Sequence, residues 1–156
     1  KELQKFNNIC FRGFIIGAVE DKKYYENLKL SQYTFIKYLG EKSKKELMEN
    51  IYPNIDALFS CSNSETLPTV VLEAMSFGKI VFARNVGGIP EIITNGKDGI
   101  IYDYLASPEE IAENIVNIFS NFELVNRLSK NAVIKIKSKF TQEYKVDKIN
   151  ELIGII

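Results

Sequence analysis

The chain contains no histidine among its 156 residues. Histidine is the usual metal ligand and the usual general base near neutral pH. No Asp-x-Asp pair occurs either. A zinc site, a Ser/His/Asp triad, a Cys/His dyad and an acidic magnesium clamp therefore each lack a necessary part. We expect no metal and no cofactor, and a chemistry that rests on carboxylates, lysines, arginines and backbone dipoles.

Net charge and long apolar runs are also lacking. Twenty basic and twenty acidic residues cancel, so no overall field attracts nucleic acid or an anionic membrane surface. No apolar run is long enough to cross a bilayer, and residues 1–8 do not resemble a signal peptide. We therefore expect a cytoplasmic protein with no nucleic-acid partner and no membrane contact through this domain.

Cysteine is rare, with only Cys10 and Cys61 present. Both lie in apolar, strand-like runs, and neither belongs to a CxxC motif. A free thiol in such a run behaves as a small hydrophobic group. We expect both cysteines to be buried and structural.

What the sequence does contain suffices for one compact domain, since 46% of the residues are hydrophobic and 12% aromatic. Five short apolar runs bounded by Gly, Asp and Ser are typical of strands: 8–17, 33–40, 56–62, 79–84 and 99–103. Helical patterns separate them at 22–32, 43–55, 68–77 and 89–94. This alternation predicts the α/β class, with a Rossmann-like, doubly wound parallel sheet.

The C-terminal third has a different pattern. Ser107, Pro108 and Glu110 form a capping box with proline at the first helical position, which predicts a helix to about residue 119. Further helices are predicted over about 123–139 and 142–153. We therefore treat residues 1–156 as a single domain, with an α/β part over 1–103 and a helical part over 104–156.

Glu65 and Glu73 bracket an apolar stretch that contains a proline. With Pro68 at the first position of the helix at 68–77, Glu65 falls in the loop that leaves the strand at 56–62. That loop lies at the carboxyl end of the strand, where doubly wound sheets bind ligands. Two interpretations are open at this point: the glutamates are ordinary solvated charges, or they face a ligand.

The loop after the next strand adds to the same edge. Its sequence is NVGGIPE, and its glycines, Gly87 and Gly88, would let backbone approach a ligand closely. A helix start offers amide groups and a partial positive charge to phosphate, whereas a carboxylate accepts hydrogen bonds from hydroxyls. Phosphate together with hydroxyls describes a nucleotide sugar.

Residues 61–103, CSNSETLPTVVLEAMSFGKIVFARNVGGIPEIITNGKDGIIYD, resemble the donor-binding signature of retaining GT-B glycosyltransferases, specifically glycosyltransferase family 4, the glycosyl transferases group 1. The order of E-x7-E, EAM, GK, VGGIPE and NGKDG carries the resemblance. It implies the C-terminal donor-binding half of an enzyme that moves a sugar from a UDP-, GDP- or ADP-linked donor to an acceptor hydroxyl, with retention of configuration. It also implies an acceptor glycan or lipid-linked sugar, bound by an N-terminal domain absent here. The full-length protein would then be peripheral at the inner face of the membrane.

The resemblance implies roles for individual residues. Glu65 would be catalytic and contact the hydroxyls of the transferred sugar, Glu73 would contact the ribose, and the backbone of 66–70 would contact the diphosphate and sugar. The base side would be lined by Gly17 and the segment 38–40. The expected donor-binding set is Glu65, Thr66, Leu67, Pro68, Thr69, Val70, Glu73, Gly87, Gly88, Gly17, Tyr38 and Leu39.

The chain also departs from the family's pattern. Thr66 stands where glycine is usual, which leaves the identity of the donor open. The arginine and lysine that family members carry after the first strand are missing, and Arg12, Lys79 and Arg84 are the conceivable substitutes. We therefore expect a fragment without its first strand, inactive alone. The alternatives are a non-catalytic nucleotide- or partner-binding domain and a nucleotide-sugar 2-epimerase, although such epimerases rely on histidine.

Overall fold

The computed structural model describes residues 3, 10–66, 68–141 and 144. Five strands follow in chain order, and each lies inside one of the predicted runs: β1 Gly13–Ile16, β2 Ile36–Gly40, β3 Ala57–Ser60, β4 Ile80–Arg84 and β5 Ile100–Tyr102. Every strand pairing is parallel. The predicted α/β class and the Rossmann-like arrangement of parallel strands with flanking helices are confirmed.

The helices also follow the predicted order: α1 Lys22–Asn27, α2 Lys44–Glu46, α3 Thr69–Ser76, α4 Ile89–Ile92, α5 Pro108–Phe119 and α6 Phe122–Lys139. Helix α2 continues through a π-helical turn, Leu47–Ile51, into a 3₁₀ turn, Tyr52–Asn54. At the start of α5 the Ser107 side chain accepts the amide of Glu110 at 3.1 Å, as the capping pattern predicts. The helix predicted over 142–153 lies outside the described residues, apart from Tyr144. Of the helices that are described, none is both long and apolar enough to span a membrane.

The strands form two sheets, one with β1 and β2 and one with the order β3-β4-β5. Within the described residues β1 and β3 are not paired. The common doubly wound order 3-2-1-4-5-6 has its first strand between the second and the fourth. If β1 to β5 are matched to the second to sixth strands of that order, the break between β1 and β3 falls at the position of its first strand.

Strand β4 lies in the middle of the three-stranded sheet and is buried on both faces. Ile80 and Phe82 point to one face and Val81 and Ala83 to the other, as the alternation of side chains in a strand requires. The first face packs on α5 and α6 through Ile115, Ile118 and Leu128. The second packs on α3 and α4 through Val71, Ala74, Met75, Ile89 and Ile92. The two layers fix the helices that follow β3 and β4, and hence the loops between strand and helix.

The prediction that both cysteines are buried is wrong, since Cys10 and Cys61 are exposed. Cys61 follows the last residue of β3, and Cys10 lies before the first residue of β1. The apolar runs extend beyond the strands at these points, so the thiols fall in connecting segments at the surface.

Candidate functional site

Two loops meet at the carboxyl edge of the three-stranded sheet. The first, residues 61–68, joins β3 to α3, and the second, residues 85–88, joins β4 to α4. The amide of Gly88 donates a hydrogen bond to the carbonyl of Glu65 at 3.1 Å. The structure thus brings the predicted glycine pair and the first predicted glutamate into direct contact.

The glycine pair is required by this contact. A Cβ atom on Gly87 would lie 1.6 Å from the carbonyl oxygen of Glu65, and one on Gly88 would lie 2.3 Å from that of Thr66. Gly87 also has a φ of +49°, in the left-handed region. The sequence predicts close approach of a ligand to these glycines, whereas in the structure the neighbouring loop makes the close approach. Their contact with a donor stays a prediction.

The start of α3 differs by one residue from the prediction. Pro68 is the N-cap, with ψ at 93°, and Thr69 is the first helical residue. The extended ψ of Pro68 keeps it outside the helix, while its carbonyl accepts the amide of Val71 at 3.0 Å. Proline offers no side-chain acceptor to the first turn, and the amides of Thr69 and Val70 donate no hydrogen bond within the described residues. Thr66, Thr69 and Val70 are exposed around it and Pro68 is buried, while Leu67 lies outside the described residues.

The loop that carries Glu65 is anchored at two points that precede that residue. The hydroxyl of Tyr102 donates to the carbonyl of Ser60 at 3.0 Å, and the guanidinium of Arg84 donates to the side chain of Asn63. The Glu65 side chain is half-buried and makes no hydrogen bond within the described part of the chain. Its carboxylate is therefore available to a ligand, on a backbone that is held in place.

Glu73 is held through its side chain instead. The hydroxyl of Tyr52 donates to Oε2 at 2.9 Å, and Nζ of Lys44 lies 3.6 Å from Oε1. The Glu73 side chain is only 15% exposed. The interpretation of Glu73 as an ordinary solvated charge is therefore wrong, because a buried tyrosine from another helical segment holds its carboxylate.

Tyr52 is 2% exposed. Burial raises the pKa of its hydroxyl, and the hydrogen bond to Glu73 raises that pKa further. The hydroxyl therefore stays protonated and remains a donor to the carboxylate throughout the neutral range. Sequence reasoning missed both Tyr52 and Lys44, since their contacts with Glu73 span 21 and 29 positions and no local pattern indicates them.

The predicted base-side residues lie at the ends of β1 and β2. The hydroxyl of Tyr38 donates to the carbonyl of Gly17 at 2.7 Å, and the Gly17 amide donates to the carbonyl of Gly40 at 3.1 Å. Gly17 has a φ of +144°, which favours glycine. Leu39 is half-buried within β2. These residues come together at a carboxyl strand edge, and their contact with a base stays a prediction.

The three basic residues considered as substitutes lie at different edges. Arg12 and Lys79 each precede a strand, at its amino end, and Lys79 donates to the carbonyl of Pro53 at 3.3 Å. Arg84 ends β4 at the carboxyl edge, where its guanidinium lies 4.8 Å from the ring centre of Tyr104. Its Nε is buried and has no partner among the described residues. Only Arg84 of the three therefore lies on the edge that carries the glutamates.

Comparison with known proteins identifies the family. The model of the glycosyl transferases group 1 family matches residues 1–134. The chain belongs to this family. Spore coat protein SA of Bacillus subtilis is 34% identical over 109 residues, which cover 69% of this chain and 28% of that protein. An uncharacterised glycosyltransferase of Methanocaldococcus jannaschii is 29% identical over 142 residues, covering 90% of this chain and 40% of that protein.

The fold of this glycosyl transferases group 1 chain matches that of larger proteins. The structure of Anabaena Alr3699/HepE in complex with UDP-glucose superimposes with a TM-score of 0.77 at 20% identity, covering 93% of this chain and 41% of that one. The chain thus spans less than half the length of the relatives it matches. The parallel sheets with flanking helices are those of GT-B glycosyltransferase structures.

Proposed function

We propose that this chain is the donor-binding half of a retaining glycosyltransferase of family 4, which moves a sugar from a nucleotide-diphosphate sugar to an acceptor hydroxyl. One observation carries the proposal: Glu65 and Glu73 lie on either side of the start of α3, at the carboxyl edge of a parallel sheet. Family membership supports transfer chemistry, and HepE, which shares the fold, is described in complex with UDP-glucose.

In this proposal the ligand lies across the start of α3. The amides of the first turn and the partial positive charge of the helix bind the diphosphate. Glu65 accepts hydrogen bonds from the transferred sugar, and Glu73 accepts them from the ribose. Gly17, Tyr38 and Leu39 line the base side, and Gly87 and Gly88 support the loop beside the sugar.

The proposed reaction needs no metal and no general base from this chain. The leaving diphosphate oxygen helps to deprotonate the acceptor hydroxyl on the same face of the sugar, so configuration is retained. The main contribution of the protein is then the stabilisation of charge on the leaving group by fixed amide dipoles. A free carboxylate at Glu65 suits a contact that strengthens as the sugar approaches its transition state.

The proposal includes a second, acceptor-binding domain in a longer protein. The coverage of only 28% to 41% of three relatives supports it, and a preceding strand would fill the break between β1 and β3. That domain would bind a glycan or a lipid-linked sugar, in a cytoplasmic enzyme peripheral to the membrane. The 156-residue chain alone should show no sugar transfer.

The test is a calorimetric titration of the intact protein with UDP, GDP and ADP and with their sugars, followed by NMR of the product. We expect one nucleotide series to bind, and a product with the anomeric configuration of the donor. A product with inverted configuration would contradict retention. Sugar transfer by the purified 156-residue chain would contradict the proposal that this chain is inactive alone. Nucleotide binding without any turnover in the intact protein would favour the non-catalytic alternative, and no nucleotide binding at all would overturn the proposal.

A further inference from the structure

Tyr52 and Lys44 approach Glu73 from opposite ends of one helical segment. Residues 44–54 lead from the carboxyl end of β2 toward the amino end of β3, and α3 leads from the carboxyl end of β3 toward the amino end of β4. Lys44 follows the carboxyl end of β2, and Tyr52 precedes the amino end of β3. The segment packs beside α3, where Tyr52 contacts Glu73 and Phe77.

The two oxygens of the Glu73 carboxylate have different surroundings. Oε2 accepts the hydroxyl of Tyr52, which is buried. Oε1 lies 3.6 Å from Nζ of Lys44, whose side chain is 77% exposed. That separation exceeds ordinary hydrogen-bond distance, so Oε1 keeps its capacity to accept hydrogen bonds. Oε1 is thus the oxygen that faces an exposed side chain, while Oε2 faces a buried one.

The ring of Tyr52 is itself held in place. It stacks on Phe77 with the ring centres 5.6 Å apart and an angle of 29° between the planes. The hydroxyl of a buried, stacked ring has a fixed direction, because the ring cannot turn without displacing its neighbours. The hydrogen bond to Oε2 therefore restricts the rotation of the Glu73 side chain.

We propose that Tyr52 is a positioning residue for nucleotide recognition, which holds Glu73 so that Oε1 faces the ribose hydroxyls of the donor. This inference rests on the proposed function, because it takes the ribose as the partner of Glu73. Tyr52 itself does not touch the ligand. It reduces the freedom that the carboxylate loses when the ligand binds, which is how preorganisation increases affinity.

The test compares Tyr52→Phe, Glu73→Gln and the double variant in the intact protein, with UDP and 2′,3′-dideoxy-UDP as probes in calorimetric titrations. GDP and ADP with their dideoxy forms replace them if UDP does not bind. Tyr52→Phe should weaken binding of the diphosphate about threefold to tenfold, as expected for one lost hydrogen bond. Binding of the dideoxy form should be unchanged, because that ligand presents no hydroxyl to Glu73. Adding Tyr52→Phe to Glu73→Gln should cause no further loss of affinity for the diphosphate that keeps its ribose hydroxyls.

Tyr102→Phe is the matched control. It also removes a tyrosine hydroxyl that donates a hydrogen bond, in this case from a half-buried residue to the carbonyl of Ser60. It should leave the ratio of the two affinities unchanged, whatever its effect on stability.

The outcomes separate the inference from the proposed function. If Glu73→Gln weakens binding of the diphosphate and Tyr52→Phe does not, the positioning role of Tyr52 is wrong and the proposed ribose contact of Glu73 stands. If Tyr52→Phe weakens binding of the diphosphate and of its dideoxy form alike, or abolishes both, the role of Tyr52 is only structural and the inference is overturned. If Glu73→Gln changes neither affinity, or no diphosphate of the three bases binds, the ribose contact itself fails and the inference with it.

Discussion

The two glutamates of the site are held in opposite ways. At Glu65 the backbone is fixed, by the amide of Gly88 and by close packing on Gly87, and the carboxylate makes no hydrogen bond in the described part of the chain. At Glu73 the backbone is that of an ordinary helix, and the carboxylate is fixed by Tyr52. In the proposed function Glu65 contacts the transferred sugar, whose geometry changes during the reaction, and a carboxylate without a partner in the described residues can follow that change. Glu73 contacts the ribose, which does not react, and a carboxylate that is already held in place suits such a ligand.

The largest effect should come from removing the backbone fit beside Glu65. Gly87→Ala places a Cβ atom 1.6 Å from the Glu65 carbonyl, on a residue with a φ of +49°. Because both atoms in the clash belong to or adjoin backbone, no side chain can move to relieve it. We expect the free energy of unfolding to fall by about 4 kcal/mol or more, measured by urea denaturation.

Gly96→Ala is the control for Gly87→Ala. Gly96 has a φ of +72°, and nothing lies within 4 Å of its added Cβ. It should cost only the left-handed backbone conformation, about 1 to 2 kcal/mol. Equal losses in the two variants would mean that backbone conformation, and not the contact with the Glu65 loop, explains why glycine is required at position 87.

The next effect concerns the free carboxylate. Glu65→Gln in the intact protein should reduce turnover with the full donor by two to three orders of magnitude, roughly 3 to 4 kcal/mol, if the contact tightens in the transition state. Affinity for the nucleoside diphosphate should stay within about twofold, because that ligand has no sugar hydroxyl to face residue 65. Steady-state rates and calorimetry measure the two quantities. A matching loss of diphosphate affinity would show that Glu65 shapes the loop and does not contact the sugar.

The held carboxylate should show a different response. Glu73→Gln should weaken the nucleoside diphosphate and the full donor alike, by about 1.5 to 3 kcal/mol, the range for a hydrogen bond to a charged group. The same titrations test it. If both glutamine variants lose diphosphate affinity equally, the two carboxylates act as one unit and the contrast between them disappears.

The sequence predicts the elements of the fold better than the contacts of the site. All five strands and the helix at 108–119 fall where periodicity and capping predict them, because those signals are local. The choice of Glu65 and Glu73 rests on their place around the start of α3 and on the resemblance to the donor-binding signature. The tyrosine that holds Glu73 is 21 residues away, and its contact depends on how two helical segments pack side by side.

The glycine loop illustrates the same limit. The Gly-Gly pair predicts that a ligand approaches the backbone closely, whereas in the structure the neighbouring loop at residues 65–66 makes the close approach. The burial of the cysteines fails for a related reason, since an apolar run does not reveal where its strand ends. A run that continues past the sheet places its last residues at the surface, as for Cys61.

The smallest effect should come from the exposed ion pair between Lys44 and Glu73, whose carboxylate Tyr52 holds from the buried side. Lys44→Ala removes an ion pair whose lysine is 77% exposed, and such pairs contribute about 0 to 1 kcal/mol because water and salt screen them. The carboxylate would still be held by Tyr52, so we expect the ratio of affinities for UDP and 2′,3′-dideoxy-UDP to change less than about twofold. Lys45→Ala is the control, since Lys45 adjoins Lys44 in α2 and forms no ion pair within the described residues. If Lys44→Ala lowers that ratio as far as Tyr52→Phe does, the carboxylate is positioned from the exposed side. Glu73 would then be oriented by the surface charge of Lys44 and not by the buried hydroxyl of Tyr52, and its contrast with Glu65 would no longer be one between an internally held and an unheld carboxylate.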